Sequence, residues 1–139
     1  MEIVTERLVV PTTGNTDVVD ITDRITAFLR THKLGEGALT VFVSGSTAGV
    51  TTVEYEPGLL KDLPETFERL IPQGHEYHHN ETWHDGNGHS HVRASLLGPS
   101  LTLPFQSGSL LLGTWQQVVV IDFDTRKRSR EIVLQAIGR

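Results

Sequence analysis

Six of the chain's seven histidines lie between residues 75 and 91: His75, His78, His79, His84, His89 and His91. The same stretch carries Glu76, Glu81 and Asp85 with Asn80 and Asn87. There is no cysteine, so disulfides, thiolate zinc ligands and cysteine nucleophiles are excluded. Imidazole with carboxylate is then the donor set left for Zn, Ni, Fe or Mn. Imidazole is also the usual general acid or base near neutral pH. No zincin-type helix carrying two histidines and a glutamate base is expected.

Spacing limits which histidines act together. A helix over 88–97, capped by Asn87, places Asn87, His91 and Ser95 on one face at i, i+4, i+8. His89 and Arg93 form another pair on that helix, and His89 then points away from His91. Both serve as ligands only if His89 stays in the preceding loop. His78 and His79 are adjacent, so on an extended chain they face opposite sides and one enters the site. The expected donors are His79, His89 and His91, with His75 and His84 facing solvent or serving structure.

Three other segments carry candidate chemistry. Gly45-Ser46-Thr47-Ala48-Gly49 is either an anion-binding turn, using the Ser46 and Thr47 hydroxyls and free N–H groups, or a plain turn between strands. It lacks the Gly-Lys-Ser/Thr of a Walker loop. Glu54 and Glu56 flank Tyr55 and point the same way on an extended segment, and Glu54 is the one chosen to help hold a metal or act as base. Trp115 and Gln116 suit stacking of a planar ring and bonding of its edge, or a core or interface role. Ser95, Ser100 and Ser107 lie outside any G-x-S-x-G elbow.

The elements that position these groups follow from pattern. Residues 2–10 read as a strand and Val18–Ile21 as a short second one. Thr22 reads as a helix N-cap, with Ile25, Phe28 and Leu29 forming an apolar face. Residues 39–44 read as a buried strand and 50–55 as strand or extended chain. Leu59, Leu60, Leu63, Phe67, Leu70 and Ile71 recur at helical spacing over 58–71, where Pro64 breaks the ladder or marks a restart. Residues 75–90 are expected to lack regular structure. After Pro99 the chain reads as antiparallel strands: SLTLPF, a hairpin at Ser107-Gly108, SLLLGTW, QQVVVIDFD, a basic turn and SREIVLQAIG.

The 139 residues suit one domain, 1–139, able to bury its own core. Strands beside two or three helices give an α+β sandwich of mainly antiparallel strands. The formal charge of −5 argues against nucleic-acid binding, and the run Arg126-Lys127-Arg128 with Arg130 reads as a solvated turn. The N-terminus lacks a secretory signal pattern and no apolar run is long enough for a bilayer. A cytoplasmic location without membrane partners is expected.

The segment from His91 to Gln117, HVRASLLGPSLTLPFQSGSLLLGTWQQ, with Asn87 and His79 before it, resembles the YjbQ family, also called the secondary thiamine-phosphate synthase family. STAGVTTVEYEPGLLKDL and DFDTRKRSREIVLQAIG resemble its other shared blocks. The resemblance implies a compact α+β homotrimer with a histidine metal site near a subunit boundary. The positions it matches are His79, Asn87, His91, Glu54, Ser95, Trp115 and Gln116. His89 matches a subgroup that shares GNGHSHVR. Many members carry histidine where this chain has Gly45, so a substitute imidazole, His89 or His78, is expected.

The resemblance implies an activity joining a pyrimidine diphosphate to a thiazole phosphate with release of pyrophosphate. A divalent metal ion (Zn, Mg or Mn) at His79, His89 and His91, with Glu54 nearby, would neutralise the leaving group. Ser46, Thr47 and Arg93 would hold the small phosphorylated substrate. Asn87 and Ser95 would line the site, with Trp115 and Gln116 against a ring. A metal-dependent hydrolase and a non-enzymatic metal-binding trimer stand as alternatives.

Overall fold

Alternation along the N-terminal segment puts Leu8, Val10 and Thr12 inside while Ile3, Thr5, Arg7 and Val9 stay exposed. That period of two makes one long strand, β1 (Glu2–Thr12), which pairs antiparallel with β8 (Arg128–Gly138) along its whole length. β8 pairs in turn with β3 (Gly37–Ser44), then come β5 (Ser100–Gln106) and the short β6 (Ser109–Leu110). A second antiparallel sheet has the order β2 (Asp17–Asp20), β7 (Gln117–Asp122), β4 (Ala48–Val53). The computed structural model describes all residues, Met1–Arg139.

β7 lies between two apolar layers. Val118 and Val120 join the main core between the sheets with Leu39, Val41, Val43, Ile132 and Leu134, and α1 (Thr22–Thr31) adds Ile25, Phe28 and Leu29. Val119, Ile121 and Phe123 point the other way, under α2 (Pro57–Leu70) and α4 (Gly88–Leu97), which supply Leu60, Leu63, Phe67, Ala94 and Leu97. A strand buried on both faces reads as a continuous apolar run, which is why QVVVID shows no alternation. α4 is drawn onto the sheet at Gly49, where a methyl carbon would sit 2.7 Å from Leu97 Cδ2 and 2.8 Å from the Gly98 carbonyl.

The sandwich of antiparallel strands is as expected, with four helices rather than two or three. The added helix is α3 (His78–Trp83), inside the stretch expected to lack regular structure. Its last turn ends on His84, in the left-handed region at φ 57°. Thr22 is the first helical residue and not the cap; its hydroxyl donates to Asp20 (2.7 Å) and accepts from the Val118 N–H (2.8 Å). α2 runs unbroken through Pro64, because its Leu60, Leu63 and Phe67 stripe stays packed on the sheet on both sides of the proline. β4 stops at Val53, and beyond Leu110 the chain leaves the sheet, so most of SLLLGTW is loop. The Ser107-Gly108 hairpin forms with φ of 53° and 74°, the backbone twist that two-residue hairpins require. The basic turn differs from a fully solvated one: Arg126 and Lys127 are exposed, but Arg128 and Arg130 turn inward to carboxylates. No helix is long and apolar enough to cross a membrane.

Candidate functional site

α3 and α4 carry the central pair. The chain enters α3 through Tyr77, whose hydroxyl donates to the Pro72 carbonyl at 2.6 Å. It returns to α4 so tightly that a methyl carbon at Gly88 would sit 2.5 Å from Tyr77 Cβ. The Gly88 N–H donates to Asn80 Oδ1 at 2.9 Å and fixes the crossing. This brings the rings of His79 and His91 together with centroids 4.2 Å apart. His79 Nδ1 lies 3.5 Å from an Asp85 carboxylate oxygen yet makes no hydrogen bond. Burial, then the neighbouring His79 imidazole, pushes the His91 pKa below the ordinary histidine value, against a smaller opposing pull from Asp85 and Asp124. A neutral His91 keeps a lone pair for a proton or a metal.

His78 and His79 diverge on a helix rather than on an extended chain: His78 is fully exposed beside Glu81, and His79 turns inward. His75 and His84 face outward, lining with Glu76, Tyr77, Asn80 and Glu81 an open depression of about 510 Å³. Residues 75–79 do spell H-E-x-x-H, against the expectation that the chain carries no zincin-type pattern. The helix begins only at His78, so His75 and His79 share no helical face. His89 lies on α4, not in the loop, and points into the interior at 1% exposure. Its Nδ1 has no partner, and its Nε2 is 3.4 Å from the Ser90 hydroxyl. Burial and then Arg93 hold its pKa low. His89 therefore does not join His79 and His91.

The other expected residues divide between two ends of the small sheet. Gly45, Ser46, Ala48, His91, Ala94, Ser95 and Pro99 line a cleft of about 210 Å³. Ser95 donates its hydroxyl proton to the His91 carbonyl at 2.8 Å. Asn87 occupies the N-cap position of α4 without capping it; its side-chain amide sits between Asp124 (3.4 Å) and, turned over, Asp85 (2.9 Å). Glu54 is exposed just past the opposite end of β4 from Ala48, about 20 Å away by strand rise. Trp115 and Gln116 share that far end: Gln116 Nε2 donates to Thr52 Oγ1 at 2.9 Å, and Trp115 is 72% exposed.

Two expected phosphate holders are committed inside the protein. Arg93 is 4% exposed. Its Nε and Nη2 donate to the Ile71 carbonyl (3.0 and 2.8 Å), Nη1 to Thr16 (3.1 Å) and Nη2 also to Glu68 (2.8 Å). Thr47 is buried, donating to Asp124 at 3.1 Å and accepting from Arg130 at 2.6 Å. Asp122, Asp124, Arg128 and Arg130 around it form a charge network that the sequence reading missed. The spacing Asp-x-Asp before Arg-x-Arg, on either side of the turn that carries the chain from β7 in one sheet to β8 in the other, is the signal that was there to find.

As a metal centre, the donors His79, His91 and Asp85 are right in kind for Zn or Mn. No three histidine or acidic side chains converge to hold one ion within a single chain.

Residues 6–139 match the family model described as UPF0047 protein YjbQ-like. A UPF0047 protein of Archaeoglobus fulgidus is 34% identical over 94% of this chain and 98% of its own length. One from Methanothermobacter thermautotrophicus is 35% identical over 100% and 95%. Among solved structures, a hypothetical protein of Aeropyrum pernix K1 superposes with a TM-score of 0.91 at 33% identity, covering 100% of both chains. A YbjQ-like protein of unknown function from Sulfolobus solfataricus P2 gives 0.93 at 28% identity, covering 99% of each. A match over nearly the whole chain, with relatives and folds agreeing, shows that this chain belongs to the YjbQ-like UPF0047 family.

Proposed function

We propose that the protein is a divalent-metal-dependent enzyme of the thiamine-phosphate-synthase type, joining a pyrimidine diphosphate to a thiazole phosphate with release of pyrophosphate. The observation that carries the reading is the facing pair His79 and His91 at the mouth of a small cleft. His79 and His91 would hold the ion, with Asp85 beside them. A bound divalent ion would offset charge on the leaving diphosphate as a Lewis acid. The thiazole nitrogen forms the new C–N bond as the C–O bond to pyrophosphate breaks, so no protein nucleophile is required. Ser46 and Ser95 line the diphosphate side of the cleft, and Asn87 steadies the start of α4.

Glu54, Trp115 and Gln116 belong to this reading through assembly. They lie too far from His91 to meet it within one chain, and exposed apolar groups mark both ends: Trp115 and Tyr55 at one, Trp83, Val92 and Leu96 at the other. Such surface commonly marks an interface. A cyclic homotrimer with head-to-tail contacts joins one end of a subunit to the other end of the next. The aromatic ring of the substrate then stacks on Trp115 from a neighbouring copy.

Purified protein supplied with both substrate halves and Zn or Mn is expected to release pyrophosphate and form thiamine phosphate. His91→Ala is expected to abolish it. Glu54→Gln alone is expected to be weakly active, and refolding it mixed with His91→Ala is expected to regain activity in mixed trimers. Product formation unchanged in His91→Ala would overturn the assignment.

A further inference from the structure

The turn after β3 backs onto a buried cation with an unused end. Arg130 is 2% exposed. Its Nε and Nη2 bind both oxygens of Asp122 (2.7 and 2.9 Å), and Nη2 also donates to Thr47 at 2.6 Å. Nη1 makes no hydrogen bond in the chain, yet it is not one of the sealed, unsatisfied polar atoms, so it reaches solvent. The opening lies at Gly45: a methyl carbon there would sit 2.8 Å from Nη1, and φ is +155°. Glycine at this position leaves Nη1, the one unpartnered nitrogen of this otherwise buried guanidinium, uncapped by a side chain. The N–H groups of Gly45, Ser46 and Thr47 make no hydrogen bond within the chain either.

We propose that the Gly45–Thr47 turn with Nη1 of Arg130 is an anion subsite for a phosphate group, and that it anchors the terminal phosphate of the diphosphate substrate. The second half rests on the synthase reading; the anion subsite itself does not. A guanidinium edge beside consecutive backbone N–H groups suits a tetrahedral oxyanion. Asp122 and Asp124 oppose the anion, but Arg130 and Arg128 pair with them, so the unused Nη1 donors act within a locally balanced charge set. Gly45 and Ser46 also line the cleft with His91, which puts the anchored phosphate beside the histidine pair. Arg130 thus takes the part that Arg93, with its donors engaged, leaves open.

The test titrates the full-length protein with inorganic pyrophosphate in excess chelator, followed by amide and arginine side-chain NMR. Saturable shifts at Gly45, Ser46, Thr47 and Arg130 are expected at millimolar concentrations or below. Gly45→Ala, which covers Nη1, is expected to weaken pyrophosphate by about tenfold or more, the equivalent of one charged hydrogen bond. The double variant Arg126→Gln/Lys127→Gln is expected to bind as the wild type does. No saturable binding, or shifts centred on residues 126–127 with loss in the double variant, would overturn the subsite, as would unchanged affinity in folded Gly45→Ala. If Gly45→Ala does not fold, the wild-type shift map and the double variant decide alone. Binding without any synthase activity would leave the subsite standing and remove the reading of its substrate. Activity without pyrophosphate shifts at the turn would do the reverse.

Discussion

Arg93→Met separates a structural arginine from a substrate-binding one. Methionine keeps the aliphatic stem against its neighbours and removes the donors. The Ile71 carbonyl then loses both of its Arg93 bonds, and the Thr16 hydroxyl loses one, in a region where Ile71 is 7% and Thr16 6% exposed. The Glu68 pair adds little, because that carboxylate is 56% exposed and recovers its water. Hydrogen bonds from a charged donor contribute roughly 1.5–3 kcal/mol each, and a buried acceptor left empty costs a similar amount. Relief from desolvating the guanidinium offsets part of this. The net loss is about 3 kcal/mol, or about 10 °C in Tm for a chain of this size. Thermal unfolding by circular dichroism at fixed protein concentration measures it, and kcat/KM is taken where both proteins are folded. Pyrophosphate affinity and kcat/KM are expected to stay within a few-fold of wild type. A Tm unchanged within error, together with activity down by about a hundredfold (near 3 kcal/mol of transition-state stabilisation), would refute the structural assignment and return Arg93 to the site.

The other predictions concern packing and acid stability. Gly49→Ala forces a methyl carbon into Leu97 and the Gly98 carbonyl and is expected to cost about 1–3 kcal/mol by overpacking, read from the urea midpoint. Asp122 is fully buried, and burial alone would raise its pKa. Bonds from Arg130, Thr12 and the Asp124 N–H outweigh this and hold it below the usual carboxylate value. A lowered folded-state pKa means stability that is fully present above the unfolded value and drains as pH falls through the folded one. Wild type is therefore expected to lose stability steeply below about pH 4, and Asp122→Asn, weaker at neutral pH, to show a shallower decline. Equal pH slopes in urea titrations of the two proteins would show that Asp122 does not carry the acid transition.

Much of the frame was legible because it depends on local pattern. The alternation in β1, the apolar face of α1 and the Ser107-Gly108 turn each follow from residues close in sequence. The i, i+4, i+8 face of α4 was legible for the same reason, but the expected donor set still included His89, which the helix buries in the interior apart from His91. What escaped depends on contacts distant in sequence. α3 has six residues, too few for a periodicity, and it forms where Asn80 receives the Gly88 N–H. Arg93 looked free for phosphate because Ile71, Thr16 and Glu68, which claim it, are 22, 77 and 25 residues away. Thr22 looked like a cap, and its hydroxyl instead completes the Val118 N–H from β7. Glu54 was chosen for its residue type beside the histidines, but nothing local in the sequence fixed which end of β4 meets them; the six residues of β4 set it about 20 Å from the Ala48 end that shares a cleft with His91.

The Asp122 and Asp124 pair explains how one turn, one helix and two strand ends keep a common geometry. Asp122 binds Thr12 at the end of β1 and Arg130 on β8. Asp124 accepts from Thr47 in the anion turn, from Arg128 on β8 and from Asn87 at the start of α4. Buried ion pairs of this kind are a weak source of net stability, since desolvation consumes much of their attraction. Their effect here is positional: the turn carrying Gly45–Thr47 donates to one oxygen of the Asp124 carboxylate, and the Asn87 side chain at the start of the helix carrying His91 packs against the other. A shift of that carboxylate moves the proposed phosphate anchor and the histidine pair together. The cleft between them can then keep its width even though it is built from segments that share no sheet.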